Sequence, residues 1–344
     1  MTWRVRRFEH GGGGVDMIYM ETHCTDPCYN LAFEEYQLTH CTGGDLLILW
    51  QNENAVVVGL NQNTAGEINS AYVQEHQIRV VRRMTGGGAV YHDMGNLNYS
   101  FITDVGDLGA MSIAHFSERV CRALRYMGVP AEVSGKNDIV VNGKKVSGAA
   151  QRLYGKRILH HGCLLFRSDT GRIAAALRPD PFKFSSKSTK SVQSRVGNIA
   201  DYLPPSLTLE DFWRQFLSLL CEGEVVPREL SRAEHSEIEL LAETKYRTWE
   251  WNYGHSPACS IRKERRVEGC GKLEIHMDVA RGGDITALSF YGDYFGNGDG
   301  QELAGRLIGV PLEESALRAA LEGVDIGHYF NAMDLDTFLS ILLQ

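Results

Sequence analysis

The chain has little that would indicate a secreted, membrane or nucleic-acid-binding protein. Its longest apolar runs, such as residues 46–50 and 55–58, have the length of a strand and fall far short of the ~20 residues that span a bilayer. The formal net charge of −8 lacks the positive excess that binding to nucleic acid or to an anionic membrane requires. No apolar segment of signal-peptide length opens the chain, and we expect residues 1–16 to form a disordered leader. The sequence therefore predicts a cytoplasmic protein with neither kind of partner.

Paired cysteines and the common nucleotide motifs are also missing. The eight cysteines show no regular spacing, which favours reduced thiols over disulfides. His23, Cys24 and Cys28 resemble half of a zinc site, but no second ligand pair follows them. There is no Walker A motif and no G-x-G-x-x-G motif between a strand and a helix. A phosphate bound by this chain must therefore be held by a less common loop.

The most informative segment is RRMTGGGAVYHDMGNLNYSF, residues 82–101. Three consecutive glycines allow backbone N–H groups to lie directly against a ligand and make positive φ accessible. Amide dipoles in a concave backbone and a bidentate guanidinium both favour anions. A flexible turn is the alternative, but Val80-Val81 before the loop and residues 97–101 after it predict a pair of strands. We interpret the segment as a phosphate-binding loop.

A second group of polar residues lies in KNDIVVNGKKVSGAAQR, residues 136–152. Successive residues of a strand face opposite sides of a sheet, so Lys144 and Lys145 point in opposite directions. Because Ile139 and Val141 share the parity of Lys145, we expect Lys145 to face the interior. The alternative is a pair of solvated lysines on a hairpin.

The organisation of the chain suggests two domains. Apolar runs at 46–50 and 55–59 with a short polar separator predict a hairpin. Residues 171–198 are rich in Lys and Ser with little periodicity, which predicts a mobile loop. The composition changes near residue 246, where a polar helix gives way to strands over 257–292 and three short helices.

Several motifs occur in one order along the chain. They are Asp26-Pro27, Asn30-Leu31-Ala32, Gly59 with Asn61-Gln62-Asn63, the glycine loop, the Lys145 segment, HHGCLLF, Ser191-Val192-Gln193-Ser194-Arg195-Val196, WEWNYGHSPACS and GCGKLEIHMDV. Together they resemble the lipoate-protein ligase A family. The resemblance implies an α+β fold shared with biotin ligases, in which helices pack on a mixed, largely antiparallel sheet. It also implies a catalytic domain over 17–245 and a small C-terminal α/β accessory domain over 246–344.

The resemblance also implies a two-step reaction and its partners. Lipoate and ATP, with Mg²⁺, give lipoyl adenylate and pyrophosphate, and the lipoyl group then passes to a lysine of a carrier protein. The implied carriers are the glycine cleavage H protein and the E2 lipoyl domains of 2-oxoacid dehydrogenases. A monomer is the expected state of the ligase.

Site residues follow from the same resemblance. Lys145 matches the catalytic lysine, whose ammonium holds the lipoate carboxylate against the α-phosphate, and Asp138 is the candidate to position Mg²⁺. The residues implied in ATP binding are Arg83, Gly88, Ala89, Val90, Tyr91, Asn96, Asp138 and Lys145. Those implied in lipoate binding are Thr85, Gly86, Gly87, Lys145 and His161. Leu31, Val58 and Leu60 are candidates for the apolar lipoate tunnel or for ordinary core, and Lys183, Lys187, Lys190 and Arg195 for a loop that closes over the nucleotide or meets an acidic carrier.

Other functions on the same fold remain as alternatives. An octanoyltransferase uses no ATP and passes the acyl group through a cysteine, but residues 131–136 contain no cysteine and Cys163 is better explained by burial. A lipoyltransferase would accept preformed adenylate without making it. A non-catalytic protein that binds lipoyl carriers, and a biotin ligase, are further alternatives, but the biotin-ligase pattern G-R-G-R-x-G is missing. The choice between lipoate and octanoate stays open.

Overall fold

The computed structural model describes residues 17–41, 43–105, 113–135, 137–177, 195–221, 225–254, 256 and 259–343. The predicted leader over residues 1–16 lies outside these residues, as do Lys183, Lys187 and Lys190. In the described part of the chain, no helix has the length and apolar character needed to cross a membrane.

A mixed sheet is the framework of the N-terminal part. The strands of this part are β1 (Met17–Glu21), β2 (Asp45–Trp50), β3 (Ala55–Val58), β4 (Arg79–Arg82), β5 (Val90–His92), β6 (Asn96–Asp104), β7 (Ala131–Ser134), β8 (Asp138–Val141), β9 (Lys144–Tyr154), β10 (Arg157–Leu165) and β11 (Val225–Pro227). Within the described part of the chain, eight of these strands form one sheet in the order β11-β1-β2-β6-β10-β9-β8-β7. The pairs β11-β1 and β1-β2 are parallel and the others antiparallel. The predicted mixed, largely antiparallel sheet is confirmed.

Helices cover both faces of this sheet, and others pack on a smaller sheet. The helices of the N-terminal part are α1 (Pro27–His40), α2 (Thr64–Glu67), α3 (Ser70–Glu75), α4 (Ile113–Tyr126), α5 (Thr170–Ala176), α6 (Leu209–Leu220) and α7 (Arg232–Leu241), with a 3₁₀ turn at Ile199–Tyr202 and π-helical segments at Ala242–Tyr246 and Glu250–Gly254. Helices α4 and α6 share one apolar core with the sheet, and α1 shares another with its opposite face. Helix α1 starts where Asp26 accepts a hydrogen bond from the Cys28 amide and Pro27 occupies the first turn.

The central strand β6 shows how its residues divide between the two faces. Leu97, Tyr99 and Phe101 point into the core beneath α4 and α6. Because side chains alternate along a strand, Asn96, Asn98 and Ser100 face the other side, and all three are almost completely buried. A stripe of buried polar side chains on a central strand requires partners, and it lies where the candidate site forms.

The small sheet β4-β3-β5 corrects two predictions of strand pairing. Strand β3 pairs with β4 and β5, whereas β2 belongs to the main sheet, so residues 46–50 and 55–59 do not form a hairpin. Val80-Val81 on β4 likewise pairs with β3 and not with residues 97–101, which pair with β2 and β10. Apolar content identified the strands, but the short connection from β2 to β3 crosses between sheets. The glycine loop joins β4 to β5 at the edge of the small sheet.

Residues 171–176 correct a third prediction. They lie in helix α5 and not in a mobile loop, because Asp169 caps the helix by accepting hydrogen bonds from the amides of Gly171 and Arg172. Ile173 and Ala176 bury their side chains on the small sheet. Most of the remainder of the predicted loop, residues 178–194, lies outside the described residues.

The C-terminal part has its own sheet and core. Its elements are β12 (Cys259–Val267), β13 (Gly271–Val279), β14 (Ile285–Gly292), α8 (Gly300–Leu307), α9 (Glu314–Ala320), α10 (Ile326–Tyr329) and α11 (Leu335–Leu343). The three strands are antiparallel and one face packs against the helices. The π-helical residues up to Gly254 pack against β4 and α2 of the N-terminal part. A division of the chain at residues 245 and 246 stays a prediction.

Candidate active site

A cavity lies between the glycine loop and the polar face of the main sheet. Many of the predicted site residues line it, and so do several from α1, β2 and β6. The site residues predicted from the sequence that line this cavity are Arg83, Gly87, Gly88, Ala89, Val90, Lys145 and His161. Leu31 of the predicted lipoate tunnel also lines it, whereas Val58 lies in the core of the small sheet. The two sequence motifs that we singled out therefore meet at one site.

The floor of the cavity belongs to a row of paired residues that crosses five strands. Trp50 pairs with Asn98, Asn98 with Cys163, Cys163 with Gly148, and Gly148 with Asp138. Directly paired residues in an antiparallel sheet lie on the same face, so the row is continuous. It runs from the carboxylate of Asp138 at one end to the indole of Trp50 at the other.

The glycine loop forms the opposite wall. Gly87 has φ +90°, a conformation that glycine adopts without steric cost. A Cβ on Gly59 would lie 2.1 Å from the Gly87 carbonyl oxygen, so the two backbones touch directly. A Cβ on Gly86 or Gly88 would meet nothing within 4 Å. The absence of side chains therefore keeps this wall open to a ligand.

Arg83 holds the loop in shape. Its guanidinium is buried and donates to the Thr85 hydroxyl at 3.0 Å and to the carbonyls of Val57, Gly86 and Gly88 at 3.1, 2.6 and 2.8 Å. Burial lowers the pKa of Arg83 to about 10. In this arrangement most of its donors bind the protein, and the bidentate contact with phosphate stays a prediction.

Lys145 and Asp138 form an ion pair at the charged end of the floor, with Nζ 2.8 Å from Oδ1. Each side chain is roughly one-third exposed, so the pair is accessible from solvent. A Cβ on Gly148 would lie 2.9 Å from Nζ, so the ammonium lies directly over the Gly148 backbone.

Lys145 lines the cavity while Lys144 is exposed, but the expectation that Lys145 shares a face with Ile139 and Val141 is wrong. Ile139 and Val141 point into the core beneath α4, whereas Lys145 pairs with Val140 and lies on the face of Asp138. A register shift at Ile139 and Val140 produces this difference.

His161 belongs to a buried chain of hydrogen bonds beneath the loop. Its Nδ1 lies 2.8 and 2.9 Å from the two carboxylate oxygens of Glu34, and its Nε2 lies 2.7 Å from the Thr85 hydroxyl. Because a carboxylate only accepts, Nδ1 carries a proton, and in the neutral ring Nε2 then accepts from Thr85. Ser100 donates to Glu34 at 2.5 Å and accepts from the Trp50 indole at 2.8 Å. The chain links the floor of the cavity to its glycine wall.

The sequence reasoning missed Glu34, whose side chain is 1% exposed. It lies on α1 among apolar residues, and its helical spacing alone predicts no role. The alternation of Asn96, Asn98 and Ser100 with apolar residues on β6 was a usable signal, since a buried central strand with polar residues on one face indicates a polar site.

The remaining predicted residues lie further from the open space. Tyr91 is buried in the small sheet, and its hydroxyl donates to Asn54. Asn96 is fully buried and donates to Asn98 at 2.9 Å. Their roles in ATP binding stay predictions. Among the described residues, no three His, Cys, Asp or Glu side chains cluster as a metal site, and the cysteines whose side chains the structure describes are free thiols.

Comparison with known proteins identifies the family. The model of the lipoyl protein ligase A/B catalytic domain matches residues 26–220, and that of the bacterial lipoate protein ligase C-terminus matches residues 256–342. The chain belongs to the lipoate-protein ligase family. It is 39% identical over 333 residues to the lipoate-protein ligase LplJ of Bacillus subtilis, an alignment that covers 95% of this chain and 100% of that one.

Solved structures of ligases agree with the fold of this ligase. A bipartite lipoate protein ligase from Thermoplasma acidophilum, described together with its E2 lipoyl domain, has a TM-score of 0.62 at 27% identity, covering 71% of this chain and 97% of that one. A lipoate-protein ligase A bound with ATP has a TM-score of 0.61 at 25% identity, covering 70% of this chain and 99% of that one. The cavity of this ligase lies within the segment that the catalytic-domain model matches.

Proposed function

We propose that this ligase activates lipoate with ATP and transfers the lipoyl group to a lysine of a carrier protein, with both steps at the cavity beneath the glycine loop. The observation that carries this proposal is the position of the Lys145 ammonium in a cavity with a glycine wall. A cation beside accessible backbone amides favours the meeting of a carboxylate with a phosphate. The family membership and the ATP-bound relative support the same reaction.

In the first step a lipoate carboxylate oxygen attacks the α-phosphorus of ATP. The bond from that phosphorus to the bridging oxygen breaks, and pyrophosphate leaves with the bond electrons. Lys145 is positioned to hold the carboxylate and to offset negative charge at the reacting oxygens. The open surfaces of Gly86 and Gly88 admit the phosphates against the backbone.

In the second step the amine of the carrier lysine attacks the acyl carbon. The bond from that carbon to the phosphate oxygen breaks, AMP leaves, and the amine loses a proton. The product is an amide. Transfer to a lipoyl domain is supported by the Thermoplasma relative, a ligase described with its own E2 lipoyl domain. An H protein as a carrier, a monomeric state and a cytoplasmic location are parts of the same proposal.

Asp138 fits a limited role toward Mg²⁺. Magnesium with a nucleotide takes one or two carboxylates and completes its shell with phosphates and water. Asp138 provides one partly exposed carboxylate, and Lys145 already neutralises it. The ion would supply charge neutralisation at the phosphates when bound.

Pyrophosphate exchange into ATP, measured with and without lipoate, tests the first step. We expect exchange that depends on lipoate, followed by AMP-forming lipoylation when a lipoyl domain is added. Lipoylation from synthetic lipoyl adenylate without any exchange would identify a lipoyltransferase and contradict the adenylation step. Binding of a lipoyl domain without either reaction would identify a non-catalytic protein.

An octanoyltransferase is tested by Cys163→Ser. Cys163 lines the cavity, but it is 8% exposed and contacts the Gly148 carbonyl. We expect the variant to retain most lipoate-dependent exchange. Complete loss of acyl transfer in a correctly folded variant would favour a cysteine nucleophile over the adenylate mechanism.

A further inference from the structure

Two residues that line the cavity carry a buried hydrogen-bond donor with no acceptor among the described residues. Asn98 is 1% exposed; its Oδ1 accepts from Asn96, and its Nδ2 has no partner. His92 is 4% exposed; its Nδ1 lies 3.1 Å from Nδ2 of Asn52, and its Nε2 has no partner. Both residues line the cavity. Buried polar groups of this kind call for a partner from the ligand or from water.

The tautomer of His92 follows from its neighbours. Oδ1 of Asn52 accepts from Asn30 at 2.9 Å, so Nδ2 of Asn52 is the donor to Nδ1 of His92. Nε2 of His92 therefore carries the proton. Burial lowers the pKa of His92 to about 3, so the ring is neutral at physiological pH. Both unpartnered groups are thus N–H donors.

The donors lie toward the end of the floor away from Lys145, where the His92 ring is 6.4 Å from the ring of Trp50. Along the row across the sheet, Asn98 is two strands from Gly148, and neighbouring strands are about 4.8 Å apart. The distance from the Lys145 end to Asn98 is therefore about 10 Å. An extended chain advances about 1.2 Å per bond, so an eight-carbon acid reaches about 8 Å from its carboxyl carbon. An acid held by Lys145 would place its far end beside Asn98.

We propose that Asn98 and His92 determine the choice of acid by donating hydrogen bonds to a sulfur of the dithiolane ring, so that lipoate is preferred to a saturated acid of the same length. This proposal deepens the proposed function and rests on it. Sulfur is a weak acceptor, but it is an acceptor, whereas a methylene group is not. A hydrocarbon end would leave both donors buried and unpaired, and buried polar groups discriminate strongly against a ligand that lacks the matching atom.

The decisive comparison uses two acids of the same shape. In 5-cyclopentylpentanoate a carbocycle replaces the dithiolane ring of lipoate, so volume is nearly constant and only the acceptor is lost. We expect the unmodified ligase to prefer lipoate about tenfold in kcat/KM for acid-dependent pyrophosphate exchange. In Asn98→Leu, which keeps the volume and removes the donor, we expect the preference to fall to within about twofold.

Thr103→Val is the matched control. It removes a buried hydroxyl from the same strand, where Thr103 donates to Asp45 far from the cavity, and it should keep the tenfold preference. Equal use of the two acids by the unmodified ligase would overturn the proposal without any variant. Retention of the full preference in Asn98→Leu would also overturn it.

The two measurements distinguish failure of this proposal from failure of the proposed function. If no acid stimulates exchange in the unmodified ligase, adenylation fails, and calorimetric binding of the two acids then decides the specificity proposal. A tenfold tighter binding of lipoate that Asn98→Leu abolishes would still support it. Equal binding would reject it.

Discussion

Glu34 and His161 lie side by side beneath the glycine loop, with both carboxylate oxygens within 2.9 Å of Nδ1 of the imidazole. They come from helix α1 and strand β10, which are distant in sequence. The pair fixes the proton on Nδ1 and leaves Nε2 to accept from Thr85, which in turn accepts from Arg83. A buried carboxylate thus controls the shape of a loop that it does not touch.

Replacement Glu34→Gln should lower the rate of lipoate-dependent pyrophosphate exchange by roughly tenfold to a hundredfold. The amide keeps the shape but loses the charge that orients His161, and it also removes a charge that favours the cationic form of buried Arg83. The loss should appear mainly in kcat, since Glu34 acts through His161 and Thr85.

Glu35→Gln is the control for that change. Glu35 is the next residue of the same helix and binds Lys245 and Tyr246 away from the cavity. It should lower the free energy of unfolding without a comparable loss of exchange. Equal rates for Glu34→Gln and the unmodified ligase would show that the buried pair has only a packing role.

Lys145→Ala should abolish most adenylation. Loss of one preorganised donor typically costs roughly a hundredfold to a thousandfold in rate, and Lys145 is partly exposed, so the fold should persist. Lys144→Ala is the matched control, because Lys144 is exposed on the opposite face of the same strand. Lipoate-dependent exchange and circular dichroism of both variants check the prediction. Unchanged exchange in Lys145→Ala would remove this lysine from the mechanism.

We expect alanine substitutions at Gly88 and Gly59 to have opposite effects on stability and on pyrophosphate exchange. Gly88→Ala places a methyl group in open space, so stability should change by no more than about 0.5 kcal/mol while exchange falls by about a hundredfold. Gly59→Ala presses a methyl group onto the Gly87 carbonyl and should cost about 1–3 kcal/mol of stability. Thermal unfolding and the rate of pyrophosphate exchange, measured for both variants, separate an effect on ligand binding from an effect on folding. Full activity in Gly88→Ala would show that no ligand reaches this wall.

The structure also changes the interpretation of a substitution at Gly87, because a loss of activity there can come from a loss of stability. From the sequence we expect Gly87→Val to impair adenylation far more than stability. Its φ of +90° and the 3.0 Å approach of a Cβ to the Arg83 guanidinium add a folding cost of about 1–3 kcal/mol. Gly88 is therefore the better probe of ligand contact.

Sequence patterns predicted the elements of this fold better than their partners. Apolar runs and alternation located β2, β3 and β6 because these patterns are local. The pairing of β3 with β4 and β5 depends on which sheet offers a free edge, and no local pattern carries that information. The same distinction between local pattern and tertiary contact applies to the residues of the site. Motifs located Arg83 and Lys145, whereas Glu34 becomes functional only because α1 packs over His161.

Arg82 provides the strongest prediction about stability. It is fully buried, and its guanidinium donates to the carbonyls of Gly59, Leu60 and Gln62, to Thr64 and Ser256, and to the backbone of Trp251 and Asn252. It thus ties the loop after β3 to the segment that leads into the C-terminal part. Burial lowers the pKa of Arg82 to about 10, so the guanidinium stays charged at neutral pH.

Arg82→Met should therefore lower the free energy of unfolding by about 3–5 kcal/mol, since several buried carbonyls lose their donor at once. Arg79→Met is the matched control on the same strand. That side chain is 61% exposed in a surface ion pair with Asp26 and should contribute about 1 kcal/mol or less. Urea unfolding measures both changes, and limited proteolysis should cut Arg82→Met near residues 251–256 first. Equal stability of the two variants would mean that the Arg82 guanidinium does not hold the loop after β3, and that this loop is held by its own backbone.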